Sequence, residues 1–208
     1  MSTPIATVFV VDDDEAVRGA LKLLFRSLNI PTTLFASAPE FLARYSSEQP
    51  GCLVVDVRMA GMSGLELQKQ LNMRGDTIPV IFITGHGDIA MAVEAMRHGA
   101  FDFLTKPFRE QALIDRVQRA LQKDAETRSQ LSHVDHIRER LESLTPRERE
   151  VMTLVSSGMA NKAMAGELGV SQRTVEIHRA RVMEKMQAGS LAHLVRMALE
   201  LDSSSRRA

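Results

Sequence analysis

The chain has 208 residues, which suits one medium domain plus one small one, and its 44% hydrophobic and 25% charged content is that of a globular protein. Lys plus Arg and Asp plus Glu both total 26, so overall charge names no partner; residues 143–208 carry ten Lys/Arg against seven Asp/Glu, and residues 1–142 sixteen against nineteen. The single cysteine, Cys52, excludes an intrachain disulfide and a cysteine-cluster metal site. No apolar stretch approaches the ~20 residues that span a bilayer, and Met1–Thr7 shows no signal peptide, so a cytoplasmic chain with no membrane partner is expected.

In chain order, strands are expected at Thr7–Val11, Thr32–Phe35, Cys52–Val55, Val80–Ile83 and Phe101–Leu104. The runs Val8–Val11 and Val80–Ile83 are continuously apolar, as strands buried on both faces are. Amphipathic helices alternate with them, one with the stripe Val17, Leu21, Leu24, Phe25 and Leu28, another with Leu113, Val117 and Leu121. This alternation predicts an α/β domain, a doubly wound parallel sheet of five strands. Residues 122–143 lack Gly and Pro and place Val134, Ile137, Leu141 and Leu144 on one narrow seam. The seam suits a helical connector packing on its own domains or a dimeric coiled coil, for which four positions are few. His133 and His136 share a face there without a third ligand.

From Thr145 the pattern is all helical. Thr145-Pro146-Arg147-Glu148 reads as a capping box with Pro at the first helical position, and Gly158 ends that helix. A short helix near Asn161–Leu168, a turn at Gly169-Val170 and a long helix from Gln172 have helix-turn-helix spacing. Ala165 is small at the crossing, Ser171 caps, and Val175 packs inward. Arg173, Thr174, Glu176, His178, Arg179, Arg181 and Lys185 point outward, a largely basic set suited to a DNA groove. Leu191–Leu201 makes a fourth helix and Ser203–Ala208 is expected to fray. Gly166 inside so short a helix suggests that it is short or bent.

Acidic residues follow two strands: Asp12-Asp13-Asp14-Glu15 after the first and Asp56 after the third. With strand order 2-1-3-4-5 these strands are neighbours, and Asp12, Asp13 and Asp56 converge beyond their carboxyl ends. Clustered carboxylates need a compensating cation, and hard oxygen ligands suit Mg²⁺. Thr84 and Lys106 follow the fourth and fifth strands. A nucleophilic carboxylate at Asp56, a hydroxyl and an ammonium together make a phosphoryl site. Asp14 and Glu15 serve the helix N-terminus instead. A phosphoaspartyl hydrolase would carry a second aspartate two residues past the nucleophile, where Arg58 stands, so no enzyme is expected.

Residues 5–122 resemble a receiver (CheY-like, flavodoxin-like) domain, with Val11-Asp12-Asp13-Asp14, Val54-Val55-Asp56, Thr84 and Lys106-Pro107 in order. Asp56-Val57-Arg58-Met59 and Thr84-Gly85-His86-Gly87-Asp88 are similar to the FixJ-type subgroup. Leu144–Val151 through Thr174–Arg179 resembles the four-helix LuxR/NarL-type DNA-binding domain. The resemblance implies a two-component response regulator: receiver at 1–122, helical linker at 123–143, DNA-binding domain at 144–208. It implies that a sensor histidine kinase phosphorylates Asp56, and that Asp13, Asp56 and the Arg58 backbone carbonyl hold Mg²⁺ with help from Asp12. Phe103 matches the switch aromatic, and the Lys106-Pro107 bond is expected to be cis. Glu176 and Ile177 match base-facing positions, while Arg173, Thr174, Arg179 and Lys185 suit the DNA backbone. The implied partners are double-stranded DNA, RNA polymerase and, on phosphorylation, a second copy of the chain. Where the subgroup has Pro, this chain has Ala60 and Ala90, changes expected to alter loop stiffness rather than the reacting groups.

Overall fold

The computed structural model describes residues 5–85 and 89–205. The His86-Gly87-Asp88 part of the motif after Thr84 lies outside the described residues, as do residues 206–208 and the side chain of Ala90. The chain divides into two compact units, Met1–Arg128 and Ser129–Ala208.

The first unit contains strands β1 (Thr7–Val11), β2 (Thr32–Phe35), β3 (Gly51–Asp56), β4 (Val80–Thr84) and β5 (Asp102–Thr105). Helices α1 (Glu15–Ser27), α2 (Ala38–Arg44), α3 (Gly64–Met73) and α4 (Ile89–Arg97) alternate with them. Helix α5 (Glu110–Glu142) opens in this unit. The sheet is parallel with order β2-β1-β3-β4-β5, the order on which convergence of the acidic residues depends.

Strand alternation sorts the apolar runs into two cores. Phe9, Val11, Leu53, Val55, Val80 and Phe82 face one side and pack with Phe35, Phe41, Leu67 and Leu71. Val8, Val10, Cys52, Val54, Ile81 and Ile83 face the other and meet Leu21, Phe25, Leu113 and Val117. These last four come from the two amphipathic stripes. Leu28, assigned to the first stripe, is 41% exposed because it caps α1 rather than continuing it. Phe9, Phe41 and Tyr45 form an aromatic cluster, with Phe41 stacked on Tyr45 at 4.8 Å. Cys52 is fully buried, and burial pushes its thiol pKa up, so it is core and not a nucleophile.

The first unit closes on an ion pair that motif reading does not reveal. Asp124, 1% exposed, accepts the Gly51 N–H at 2.8 Å and pairs with Arg128 at 2.8 Å. The Arg128 guanidinium also donates to the carbonyls of Ser47 and Gln49, each at 2.8 Å. Two carbonyl acceptors and one N–H donor on the segment entering β3 are thereby held from α5, beyond residue 122.

The second unit holds the end of α5 and helices α6 (Pro146–Ser156), α7 (Asn161–Leu168), α8 (Gln172–Lys185) and α9 (Leu191–Ser205). Its core gathers Val151, Val155, Met164, Val175, Val182, Leu194 and Met197. Ile137 and Leu144 of the linker seam are buried in it, with Leu141 packed alongside. His133 meets Glu200 at 3.1 Å and His136 meets Glu139 at 3.3 Å. Ser203–Ser205, expected to fray, belong to α9. Helix α7 remains helical through Gly166 and ends at Gly169, whose φ of 66° puts it in the left-handed region that glycine adopts freely. Ser171 then caps α8.

Thr145 and Glu148 form the capping box expected at α6. Glu148, 2% exposed, also receives the Lys185 ammonium at 2.7 Å, joining the start of α6 to the end of α8. The bond from Lys185 first, then that from the Thr145 N–H, lowers the Glu148 pKa from 4.5 to about 2.

Two predictions follow from these ion pairs. Arg128→Met strands a buried carboxylate and should cost the first unit on the order of 3 kcal/mol, read as a lower urea midpoint. Equal midpoints would remove the clamp from the stability of the unit. Because the Glu148 pKa is depressed on folding, its contribution is complete above about pH 4.5 and is lost as pH falls towards about 2. Thermal unfolding followed by circular dichroism should show that acid-dependent loss, and Glu148→Gln should flatten it.

Candidate functional site

The doubly wound topology brings the carboxyl ends of β1, β3, β4 and β5 together at one edge of the sheet, where strand order reverses. Asp56 ends β3 and Asp12 follows β1, paired in register through Val11 and Val55. Thr84 ends β4 and is 1% exposed. Its carbonyl accepts the Lys106 N–H at 2.7 Å, and the Lys106-Pro107 bond is cis as expected.

The Lys106 ammonium reaches Asp12 Oδ2 at 2.9 Å and Asp56 Oδ1 at 3.0 Å. The ammonium therefore bridges both carboxylates and offsets one of their two negative charges. The other Asp12 oxygen accepts the Asp14 N–H at 2.9 Å, and Asp56 Oδ2 accepts the Arg58 N–H at 2.7 Å. Arg18 donates to the Asp12 carbonyl at 2.7 Å. Burial raises the Asp56 pKa, and the nearby Asp12 charge adds to it, against the lowering effects of Lys106 and the Arg58 N–H. Burial disfavours the Lys106 ammonium, but its bonds to Asp12 and Asp56 outweigh that and raise its pKa. Asp14 serves α1 as its N-cap, accepting the Ala16 N–H at 2.8 Å, so the acidic run divides as expected.

Asp13 is exposed and takes a different partner. Its Oδ2 accepts the Ala60 N–H at 3.0 Å. This corrects the expectation that Ala60 affects loop stiffness alone: proline has no N–H, so alanine here adds a donor to an acidic residue of the site. Among the described residues no three His, Cys, Asp or Glu side chains gather closely enough to hold a metal ion.

Gly64 explains how β3 and α3 approach so closely. Its N–H donates to the Val57 carbonyl at 3.0 Å, and a Cβ there would overlap the Asp56 carbonyl oxygen. Phe103 on β5 is half-buried beside Phe82, ring centroids 6.4 Å apart. The Arg58 side chain lies over the Met91 sulfur at 4.0 Å.

On α8 the structure separates the outward set. Arg173, Glu176, Ile177 and Arg181 are exposed. Thr174 is half-buried, its hydroxyl sharing a 2.8 Å hydrogen bond with Ser171. Arg179 is half-buried and donates to Asn161 at the start of α7. His178 is half-buried, with its Nδ1 out of solvent. Lys185, read as suited to the DNA backbone, is held instead by Glu148 and by the Ser143 carbonyl at 3.2 Å. For Arg179 and Lys185 these attachments follow from the far ends of long side chains finding acceptors elsewhere in the unit, which helical spacing does not report.

Similarity to known proteins agrees with both units. The response regulator receiver domain family matches residues 8–118, and the luxR family of bacterial regulatory proteins matches residues 142–198. Nodulation protein W of Bradyrhizobium diazoefficiens is 48% identical over 200 residues, spanning 96% of this chain and 88% of that one. The transcriptional regulatory protein FixJ of Azorhizobium caulinodans is 49% identical over 192 residues, spanning 92% and 91%. The solved structure of the response regulator StyR superposes with a TM-score of 0.86 at 48% identity, covering 94% of this chain and 99% of that one. Such proteins are DNA-binding transcription regulators, not enzymes. A parallel five-stranded sheet edged with Asp12, Asp56, Thr84 and Lys106, followed by a helix-turn-helix, thus places this chain among the response regulators, as a two-component transcription regulator with a receiver and a LuxR-type DNA-binding domain.

Proposed function

We propose that a sensor histidine kinase phosphorylates Asp56, and that the phosphorylated chain dimerises and binds a specific site on double-stranded DNA to regulate transcription. The observation that carries this reading is the Lys106 ammonium held between Asp12 and Asp56 at the strand ends. In the transfer, the phosphorus–nitrogen bond of a phosphohistidine breaks as an Asp56 carboxylate oxygen bonds to phosphorus. Lys106 offsets charge on the phosphoryl oxygens, and the Thr84 hydroxyl donates a hydrogen bond to one of them.

Receiver domains of this family typically bind Mg²⁺ at an acidic pocket. The donors here suit that ion: hard oxygens of Asp12, Asp13 and Asp56, of which Lys106 pairs with Asp12 and Asp56. Asp13, Asp56 and the Arg58 carbonyl would hold it, with Asp12 assisting, and it would neutralise charge on the phosphoryl oxygens. The Ala60 N–H competes with the ion for one Asp13 oxygen, Oδ2.

The added phosphoryl charge draws Thr84 inward, and Phe103 moves into the space released. The surface of α4, β5 and α5 then changes shape and favours a dimer. Two DNA-binding units in such a dimer match a twofold-related site. Arg173, Glu176 and Ile177 face the DNA, with Thr174 and Arg179 at its margin, and the bound dimer acts on RNA polymerase in the cytoplasm.

The test is sedimentation and DNA binding with Mg²⁺, before and after acetyl phosphate. Wild type should dimerise and bind more tightly after treatment, while Asp56→Asn should do neither; equal responses would sink the role given to Asp56. A second test concerns Ala60. Ala60→Pro removes the partner of Asp13 and should tighten Mg²⁺ binding about threefold by calorimetry, the worth of one solvent-exposed hydrogen bond. Unchanged affinity would mean that the bond does not compete with the ion.

A further inference from the structure

The carboxyl end of α4 is held from α3 by side-chain amides. Gln68, on the inner face of α3, is 2% exposed. Its Nε2 donates to the Ala95 carbonyl at 3.3 Å and to the His98 carbonyl at 3.2 Å. Asn72, one turn later, donates to the same His98 carbonyl at 2.8 Å. Carbonyls at the end of a helix lack partners further along it, and here a neighbouring helix supplies donors to them. Gly99, at φ 86°, then turns the chain through the left-handed region. Ala100 is buried, and the Phe101 N–H joins the Val80 carbonyl at 2.8 Å as the chain enters β5.

A glutamine in this place is not explained by packing. Its Oε1 is withdrawn from solvent and accepts no hydrogen bond from the described residues. A polar atom left so opposes folding, and Gln68 is accounted for by what its Nε2 holds. The Lys69–Glu94 pair, which also joins α3 to α4 at 3.2 Å, is well exposed and contributes little. Toward the amino end of α4, Arg58 meets the Met91 sulfur at 4.0 Å, a long contact to a weak acceptor. The carboxyl end of α4 is thus fixed by three amide hydrogen bonds, and the tie at Met91 is far weaker.

Fixing one end decides how a helix can move. α4 has nine residues, about 12 Å along its axis at the usual helical rise. A turn of about 10° about its carboxyl end carries its first residue ~2 Å and leaves His98 in place. We infer that Gln68, assisted by Asn72, is a positioning residue that anchors the carboxyl end of α4, so that phosphorylation of Asp56 swings the amino end about that anchor. The inference rests on the phosphorylation reading above and names the residues that turn it into one defined motion. With His98 held, the short run into β5 stays in place while the outer surface of α4 tilts.

The experiment follows the nitrogen-labelled full chain with Mg²⁺ by nuclear magnetic resonance, before and after acetyl phosphate, with phosphoryl content read by mass. In wild type the backbone signals of residues 91–93 should shift. The side-chain amide signals of Gln68, and hydrogen exchange at the His98 and Ala100 N–H groups, should stay unchanged. Gln68→Met, which keeps the bulk and loses the donor, should speed that exchange about tenfold, the worth of one buried hydrogen bond. It should take up as much phosphoryl group as wild type yet dimerise about tenfold more weakly by sedimentation. Asn72→Ala, at an exposed position, should act in the same direction by about threefold. If the Gln68 signals of wild type shift together with those of residues 91–93, α4 moves as a whole and the inference is overturned. Phosphorylated variants that dimerise as tightly as wild type overturn it too, and the wild-type arm does not depend on any variant folding. A wild-type chain that takes up no phosphoryl group would overturn the phosphorylation reading itself, an outcome distinct from a phosphorylated chain whose Gln68 signals move.

Discussion

One ammonium between two carboxylates organises the first unit. The side chains of Asp12 and Asp56 are 2% and 10% exposed, and carboxylates taken so far from water are costly unless a cation and hydrogen-bond donors replace the solvent. Lys106 supplies the cation, and the backbone N–H groups of Asp14 and Arg58 supply donors. Meeting these needs requires β1, β3 and β5 to end at the same edge and β1 to lie beside β3. It also requires α3 to begin against the Asp56 carbonyl, which only a residue without a Cβ permits at Gly64. The arrangement is compact but not fully neutralised, since Asp13 adds a further carboxylate at the edge. That surplus charge is what makes the site receptive to a divalent cation on the reading proposed.

The second unit depends on a smaller version of the same principle. Glu148 is almost wholly removed from solvent, and it is satisfied by the Thr145 N–H and the Lys185 ammonium. A helix cap and an interhelical ion pair thus meet at one carboxylate. The end of α8 is tied to the start of α6, while the exposed stripe around Ile177 stays outside the core. Lys185 is consequently part of what holds α8 in place, and the exposed face of α8 is narrower than helical spacing alone suggests.

Local chemistry made much of this readable in the amino-acid order. The continuously apolar runs marked the buried parallel strands, and Thr145-Pro146-Arg147-Glu148 marked the start of α6, because strand burial and helix capping are decided by near neighbours. Asp12, Asp56, Thr84 and Lys106 were legible as a constellation because each directly follows or ends a strand, and strand ends of this fold share an edge. Gly169 and Ser171 likewise announced the turn before α8.

Contacts between distant segments were not legible in the same way. Ala60 donates to Asp13 across 47 positions, Lys185 reaches Glu148 across 37, and Asp124 reaches Gly51 across 73. Nothing in the local pattern of any of these residues marks its partner, since each bond is formed by side-chain reach after the elements have packed. The sequence by itself determined the elements, their alternation, the buried faces and the set of groups available at the strand ends. Only the tertiary structure decided which of those groups are already bonded to one another and which stay open to a ligand, because desolvation acts on three-dimensional neighbours and not on chain order.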